Sequence, residues 1–281
     1  MPIFAAVQYR PELLKPQKNL ETMINLIEQV SSRGADVVVF PECAVTGYAL
    51  TPEEAAELAE PIPGEQTKAL ATACRQAGLA VVVVGTLEKD ENGRLFNTAV
   101  LVGPEGLIGR YRKTHLPYLG VDRYLEAGDA LPDPFETVVG RLGILICYDL
   151  RFPEPTRVLA LAGAQVVLLP TAWPQAATLY PDFIAQARAA ENGVYLVAAN
   201  RIGEERGTGY LGRSIIADPN GEKLAEAGID TEEILCVEID PAQSDRKDRI
   251  FRVGEYELRP FADRRPDLYG TIASQGTLLS S

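Results

Sequence analysis

Histidine is nearly absent from this sequence, which has one, His115, among 281 residues. The four cysteines, Cys43, Cys74, Cys147 and Cys236, lie far apart and form no C-x-x-C pair. Zinc in hydrolases is held mainly by histidine, cysteine and carboxylates in close clusters, and this pattern supplies no convincing set of ligands. We therefore expect no metal and no cofactor, and a metallohydrolase is disfavoured.

Long apolar runs and positive charge are also scarce. No segment approaches the roughly 18 uninterrupted apolar residues of a membrane helix. The first residues lack the basic stretch, apolar core and cleavage site of a signal peptide, so we expect a cytoplasmic protein with reduced thiols and no membrane partner. The 27 basic against 39 acidic residues give a net charge of −12. Such a surface repels nucleic acid, which we exclude as a partner.

Apolar runs rich in β-branched residues alternate with amphipathic stretches that end at glycine. Several runs are continuous, which is typical of strands buried on both faces. The alternation predicts an α/β fold with one domain over residues 1–242. The predicted strands are Ile3–Val7, Asp36–Phe40, Leu79–Gly85, Thr98–Val102, Arg141–Cys147, Gln165–Pro170, Val194–Ala199 and Ile234–Ile239, and the predicted helices are Pro16–Arg33, Gln66–Ala77, Glu154–Ala162 and Thr178–Asn192.

Residues 243–281 differ in character from the rest of the chain. They are rich in charge and interrupted by proline, without a clear period. Such a tail is either a disordered end or an extension that packs on a partner subunit. The apolar side chains between Phe251 and Tyr269 are consistent with the second interpretation.

Reactive side chains follow three of the predicted strands. Glu42 and Cys43 follow the second strand, and Thr171 to Trp173 follow the sixth. Cys147 is the last residue of the fifth strand, and Tyr148 and Asp149 come directly after it. Functional groups in α/β folds gather beyond the carboxyl ends of strands, so we expect one shared cleft.

Cys147 is the candidate nucleophile, and a thiol needs a partner that removes its proton. If the lone histidine is not that base, a carboxylate is, provided that burial raises its pKa. Glu42 follows an apolar strand and is the candidate. A buried Lys113 would stabilise an oxyanion and lower the thiol pKa. The alternatives are a small buried hydrophobe at Cys147, a solvated loop glutamate at Glu42 and a surface charge at Lys113.

The segments around these three residues resemble the nitrilase superfamily of carbon–nitrogen hydrolases. Each motif is weak singly, but together and in order, as far as about Ile239, they are highly specific. The matching segments are Phe40-Pro41-Glu42, Asn97-Thr98-Ala99, Tyr111-Arg112-Lys113-Thr114-His115-Leu116, Cys147-Tyr148-Asp149-Leu150-Arg151-Phe152-Pro153-Glu154, Leu169-Pro170-Thr171-Ala172-Trp173-Pro174 and Arg188-Ala189-Ala190-Glu191-Asn192.

The resemblance implies a four-layer α-β-β-α sandwich and a Glu–Lys–Cys triad. By this analogy Glu42 is the general base, Cys147 the nucleophile and Lys113 the stabiliser of the tetrahedral species, while the backbone N–H of Tyr148 completes the oxyanion hole. His115 is then structural. Members of the family usually dimerise, so the resemblance also implies a homodimer or an assembly of dimers.

One feature departs from the family pattern. Many members carry a second glutamate five residues before the acidic position of an E-P-G-D-like turn. Here the turn begins at Glu126, and counting back five residues gives Val121, with Asp122 one position off. Either Asp122 or Glu126 takes the role, or the protein works without it. Asp122 is also a candidate substrate contact.

The residues after Cys147 resemble the amidase and carbamoylase branches more than true nitrilases. Hydrolysis of a small amide is the first expectation, and hydrolysis of N-carbamoyl compounds or nitriles the second. Arg151 either receives a substrate carboxylate or pairs with Asp149 or Glu154. Thr171 and Trp173 are candidate substrate contacts. Trp173 would line the acyl pocket, but packing in the core or at an interface suits it equally. The rival from another class is a catalytically silent binding or assembly protein, which the complete triad disfavours.

Overall fold

The computed structural model of the chain describes residues 1–274. The chain divides into two compact units, Met1–Asp245 and Arg246–Ser281. In the second unit, β15 (Arg249–Arg252) and β16 (Tyr256–Leu258) form an antiparallel hairpin. The predicted packing of residues 243–281 on a partner subunit stays a prediction, and positions 275–281 of that tail lie outside the described residues.

Six strands of the first unit form one sheet in the order β14-β1-β2-β3-β4-β5. The pairs β1–β2 and β2–β3 are parallel, and the outer pairs are antiparallel. The strands are β1 (Ile3–Gln8), β2 (Val37–Val39), β3 (Val81–Lys89), β4 (Leu95–Gly103), β5 (Gly106–Arg112) and β14 (Glu233–Glu238).

A second sheet has the order β13-β12-β9-β8-β7-β6, with parallel pairs at β7–β8 and β8–β9. A separate two-stranded ribbon joins β10 (Glu204–Glu205) to β11 (Thr208–Gly209). The strands of the second sheet are β6 (Phe135–Thr137), β7 (Gly140–Ile144), β8 (Val166–Pro170), β9 (Tyr195–Ala199), β12 (Ile215–Ala217) and β13 (Lys223–Glu226).

The two sheets pack face to face, with β1, β2 and β3 against β8 and β9. Helices α1 (Pro16–Ser32) and α3 (Glu65–Ala77) cover the first sheet, whereas α4 (Pro153–Leu161) and α5 (Ala185–Asn192) cover the second. A short helix, α2 (Pro52–Leu58), begins at a capping box formed by Thr51 and Glu54. The α-β-β-α sandwich expected from the resemblance is thus confirmed.

Burial on both faces explains why the strand sequences are continuously apolar. In β1, Ala5 and Val7 pack with Met23 and Ile27 of α1. Phe4, on the opposite face of β1, is also fully buried. Each of the larger side chains contributes about 1.5–3 kcal/mol when it is removed from water, and the methyl group of Ala5 contributes less. This packing holds the carboxyl ends of β2, β7 and β8 in fixed positions.

The predicted helix over 178–192 differs in one detail from the structure. It begins with a π-helical turn at Tyr180–Ile184 and continues as α5. Among the described residues, no helix combines the length and the apolar character needed to cross a bilayer.

Candidate active site

Glu42 lies in the turn that follows β2, and its backbone is held by both sheets. The Glu42 N–H donates to the carbonyl of Thr171, at the end of β8, over 3.3 Å. On the other side, β3 approaches so closely that a Cβ atom on Gly85 would lie 2.5 Å from the Cα of Glu42. Any side chain at position 85 would therefore displace the turn. The Glu42 side chain is completely buried.

Lys113 lies just after β5 and reaches two carboxylates. Its Nζ is 2.6 Å from Oε1 of Glu42 and 2.5 Å from Oδ2 of Asp122, and all three side chains are fully buried. A buried ammonium requires this compensation because an isolated charge is strongly disfavoured away from water.

Asn97 and Tyr48 complete the hydrogen bonding of this cluster. The Asn97 amide, in β4, donates to Oε1 of Glu42 over 2.7 Å and to Oδ1 of Asp122 over 2.8 Å. The Tyr48 hydroxyl donates to Oδ2 of Asp122 over 2.8 Å. Oε2 of Glu42 has no hydrogen-bond partner in the described part of the chain. This oxygen is therefore available to accept a hydrogen bond or a proton.

Cys147 follows β7 and begins a 3-10 turn at Cys147–Arg151. Its φ angle is +45°, in the left-handed region that residues other than glycine seldom adopt. The side chain is almost completely buried. Strained conformations of this kind are often kept at functional positions. The Tyr148 N–H, at the start of the turn, is among the amides that a helical turn leaves without an internal partner.

Asp149 joins the Cys147 turn to the segment that carries Lys113. Its Oδ2 accepts from the Tyr111 hydroxyl and the Ile146 N–H, both at 2.9 Å. Its Oδ1 lies 2.8 Å from Nδ1 of His115. The His115 ring also stacks on Phe152. The histidine thus joins two backbone segments, in agreement with a structural role.

Charge and burial shift the pKa values of the cluster in different directions. Burial raises the pKa of Glu42, Lys113 lowers it and Asp122 raises it, so that it lies above the ordinary 4.5. Burial alone would lower the pKa of Lys113, but Asp122 and Glu42 raise it well above its usual value. Lys113 therefore remains an ammonium ion.

The thiol of Cys147 is neutral at rest. Burial and the charge of Glu42 raise its pKa, although Lys113 acts in the opposite direction. The Thr171 hydroxyl and the Ala172 N–H also favour the thiolate. The Cys147 side chain also lowers the pKa of Glu42, as expected of a polar group close to the carboxylate.

The two alternatives for the second acid occupy different environments. Asp122, in the 3-10 turn Gly120–Tyr124, points into the cluster, whereas the Glu126 side chain is exposed. Asp122 was predicted as a substrate contact, but its oxygens bind Lys113, Asn97 and Tyr48. Its place beside the lysine suits a charge-compensating residue.

The other predicted substrate contacts, Thr171, Trp173 and Arg151, lie in different environments. Trp173 is fully buried and stacks on Tyr180 with 5.1 Å between ring centres, so packing in the core describes it well. Thr171 is buried beside the thiol. Arg151 is exposed, and no ion pair with Asp149 or Glu154 occurs among the described residues.

Sequence reasoning missed the roles of Asn97 and Tyr48. Asn97-Thr98-Ala99 was placed before a strand, but Asn97 lies inside β4. A buried amide within an apolar strand is costly unless it is hydrogen-bonded. The position of Asn97 in such a strand therefore predicts that its side chain binds other buried polar groups. Within residues 1–274, no group of three or more histidine, cysteine, aspartate or glutamate side chains has an arrangement that could hold a metal ion.

Comparison with known proteins identifies the family. Residues 4–247 match the carbon-nitrogen hydrolase family model. A nitrilase from Pyrococcus abyssi is 42% identical, with 94% of this chain and 98% of the relative covered. An omega-amidase (NIT2-B) from Xenopus laevis is 30% identical, with 86% of this chain and 95% of the relative covered.

Solved structures agree with this result. An amidase variant from Nesterenkonia sp. AN1, with acrylamide added to its active-site cysteine, superposes with a TM-score of 0.81 and is 26% identical. The match covers 97% of this chain and 100% of that one. The family predicted from the sequence motifs is therefore confirmed: this chain belongs to the carbon–nitrogen hydrolases, in the amidase-like branch of the nitrilase superfamily.

Proposed function

We propose that the protein hydrolyses small linear amides through a thioester on Cys147, and releases ammonia or an amine and a carboxylic acid. The observation that carries the proposal is the buried Glu42–Lys113–Asp122 cluster beside the Cys147 thiol. The related Nesterenkonia amidase supports the choice of nucleophile, because acrylamide adds to its active-site cysteine.

In the first half of the reaction, Sγ of Cys147 attacks the amide carbonyl while its proton passes to Oε2 of Glu42. The carbonyl oxygen becomes an oxyanion, which Lys113 Nζ and the Tyr148 N–H stabilise. Glu42 then gives the proton to the leaving nitrogen. The C–N bond breaks, ammonia or amine departs and a thioester remains.

In the second half, water attacks the thioester and gives a proton to Glu42. The same donors stabilise the second oxyanion. When this species collapses, the C–S bond breaks and the sulfur recovers its proton from Glu42. The sum is one amide and one water converted to one acid and one ammonia or amine, with the enzyme unchanged.

Measurement of ammonia release from aliphatic amides, ω-amides, N-carbamoyl amino acids and nitriles tests this proposal. Turnover of amides with Cys147-bound acyl groups in mass spectrometry supports it. Turnover of only N-carbamoyl compounds favours the second candidate, which gives the exposed Arg151 a carboxylate to bind. Absence of turnover with every class, from protein that is folded, contradicts the enzymatic proposal.

The acid limb of the pH profile reports on Glu42. Only ionised Glu42 accepts the thiol proton, and burial raises its pKa above 4.5. We therefore expect kcat/KM for a neutral amide to fall as the pH decreases, through a limb that lies above the pKa of an ordinary glutamate. Glu126→Gln, which alters an exposed carboxylate, should retain that limb. A limb at or below 4.5 would contradict the assignment.

A homodimer, or an assembly of dimers, also remains a proposal, as does a cytoplasmic location. The hairpin of the second unit exposes 64% of Phe251 and 82% of Val253, a large apolar surface for a strand and turn. We expect light scattering to give an even multiple of the chain mass, and Phe251→Asp to lower it. A mass equal to one chain would refute this expectation.

A further inference from the structure

A second buried ion pair lies outside the proposed triad. Arg201 and Glu205 have side-chain exposures of 0% and 2%, and Nη1 of Arg201 is 2.5 Å from Oε1 of Glu205. The guanidinium also lies over the ring of Tyr210, 4.1 Å from its centre. Because the pair is neutral as a whole, its effect on distant groups acts through geometry more than through charge.

The other oxygen of Glu205 holds the loop that follows the Glu42 turn. Oε2 accepts from the N–H groups of Tyr48 and Ala49, both at 2.9 Å, and from the Tyr210 hydroxyl at 3.1 Å. Gly47 allows this approach, since a Cβ atom there would lie 2.9 Å from Oε1 of Glu205. The carboxylate therefore fixes the backbone of Tyr48.

The fixed backbone directs the Tyr48 ring to the catalytic cluster. A Cβ atom on Gly120 would lie 2.3 Å from the ring, which leaves little room for the ring to move toward that residue. The Tyr48 hydroxyl, whose pKa burial raises, stays protonated and donates to Oδ2 of Asp122 over 2.8 Å. The same oxygen accepts from Lys113 over 2.5 Å. Tyr48 thus determines how the Asp122 carboxylate is turned toward the lysine.

We propose that Glu205 is a positioning residue for Lys113, which it controls through Tyr48 and Asp122. The proposal rests on the function proposed above, because Lys113 has to be aimed at the oxyanion. Without the Tyr48 hydroxyl, Oδ2 of Asp122 loses one of its two donors and the carboxylate rotates. The lysine then lies away from the position that stabilises the tetrahedral species, and displacements of about 1 Å can cost about 100-fold in rate.

A double-mutant cycle in the full chain tests the proposal. Tyr48→Phe removes one oxygen atom, and Glu205→Asp keeps the charge opposite Arg201 but withdraws it from the two N–H groups. We expect each to lower kcat by about tenfold with little change in KM, and the double variant to be hardly slower than either. Tyr9→Phe is the matched control, because the Tyr9 hydroxyl is equally buried but donates to the Ala44 carbonyl.

Alkylation of Cys147 by acrylamide supplies a readout that does not depend on turnover. A displaced Lys113 stabilises the thiolate less, so the pH dependence of alkylation should move to higher pH in Tyr48→Phe and Glu205→Asp and stay unchanged in Tyr9→Phe. If the wild-type protein hydrolyses no amide, the proposed function fails and this shift alone decides the positioning role. Additive losses of kcat, equal losses in the Tyr9 variant, or an unchanged alkylation profile would overturn the inference.

Discussion

Substitution of Cys147 by alanine is expected to reduce amide hydrolysis by about 10⁴-fold or more. The thiol supplies the covalent step, and the other buried thiol near the cluster, Cys43, lies against Oδ1 of Asn97 at 3.9 Å. The change removes one small atom from a buried site, so the fold should persist. Steady-state ammonia release and thermal unfolding, measured on the same preparation, check both parts of this expectation.

Cys74→Ala is the matched control for the Cys147 variant. Cys74 is a buried thiol in α3, where its Sγ lies 3.6 Å from the Val102 carbonyl. It should lose some stability but retain turnover. The assignment would be wrong if Cys147→Ala kept a substantial fraction of the activity, or if the acyl group were found on another residue by mass spectrometry.

Glu42→Gln is expected to lower kcat by about 10²–10⁴-fold, the usual contribution of general acid–base catalysis. The amide retains an oxygen for Lys113 but cannot carry the proton between thiol, leaving group and water. Thioester hydrolysis needs the same base, so a bound acyl group formed from an activated ester should persist for longer than in the wild-type enzyme. Rapid quenching followed by mass spectrometry measures that lifetime.

Glu88→Gln is a demanding control for the Glu42 variant. Glu88 is also buried and ion-paired, with Arg110 at 2.7 Å and Arg112 at 2.5 Å, but it does not touch the cluster. Loss of a buried ion-pair partner destabilises a protein, so both variants should be less stable than the wild type, the Glu88 variant less so because Arg110 and Arg112 are partly exposed. The two variants should nevertheless differ strongly in kcat. Equal loss of activity in both would indicate a general structural effect and contradict the role of base.

Much of the fold was predictable because its central strands have local signatures. Continuous valine runs at β2 and β3, and glycine after α1, α3 and α5, indicate structure without any knowledge of neighbours. β5 was missed because its sequence, Gly-Leu-Ile-Gly-Arg-Tyr-Arg, has a weak pattern and its side chains are mostly half-buried at the edge of the sheet. It pairs with β4 through the short turn at Pro104 and Glu105, a hairpin that a pattern of apolar runs does not reveal.

The site was predictable to a similar extent. The motifs indicated Glu42, Lys113 and Cys147, and the structure brings these residues together, although their catalytic roles stay predictions. Counting along the loop did not separate Asp122 from Glu126. The 3-10 turn at Gly120–Tyr124 decides which acid faces inward, and turns of this kind depend on packing more than on local sequence.

The left-handed backbone at Cys147 lowers the stability of the fold at the residue that we propose as the nucleophile. A residue with a Cβ atom held at φ +45° lowers the free energy of unfolding by about 1–3 kcal/mol, and glycine would avoid most of this loss. Selection for thermal stability alone would therefore favour glycine at position 147, and the resulting protein would be more stable but would lack the thiol. If Cys147 is the nucleophile proposed above, its chemistry requires a side chain at this position, and the packing of the rest of the sandwich has to offset the loss of stability.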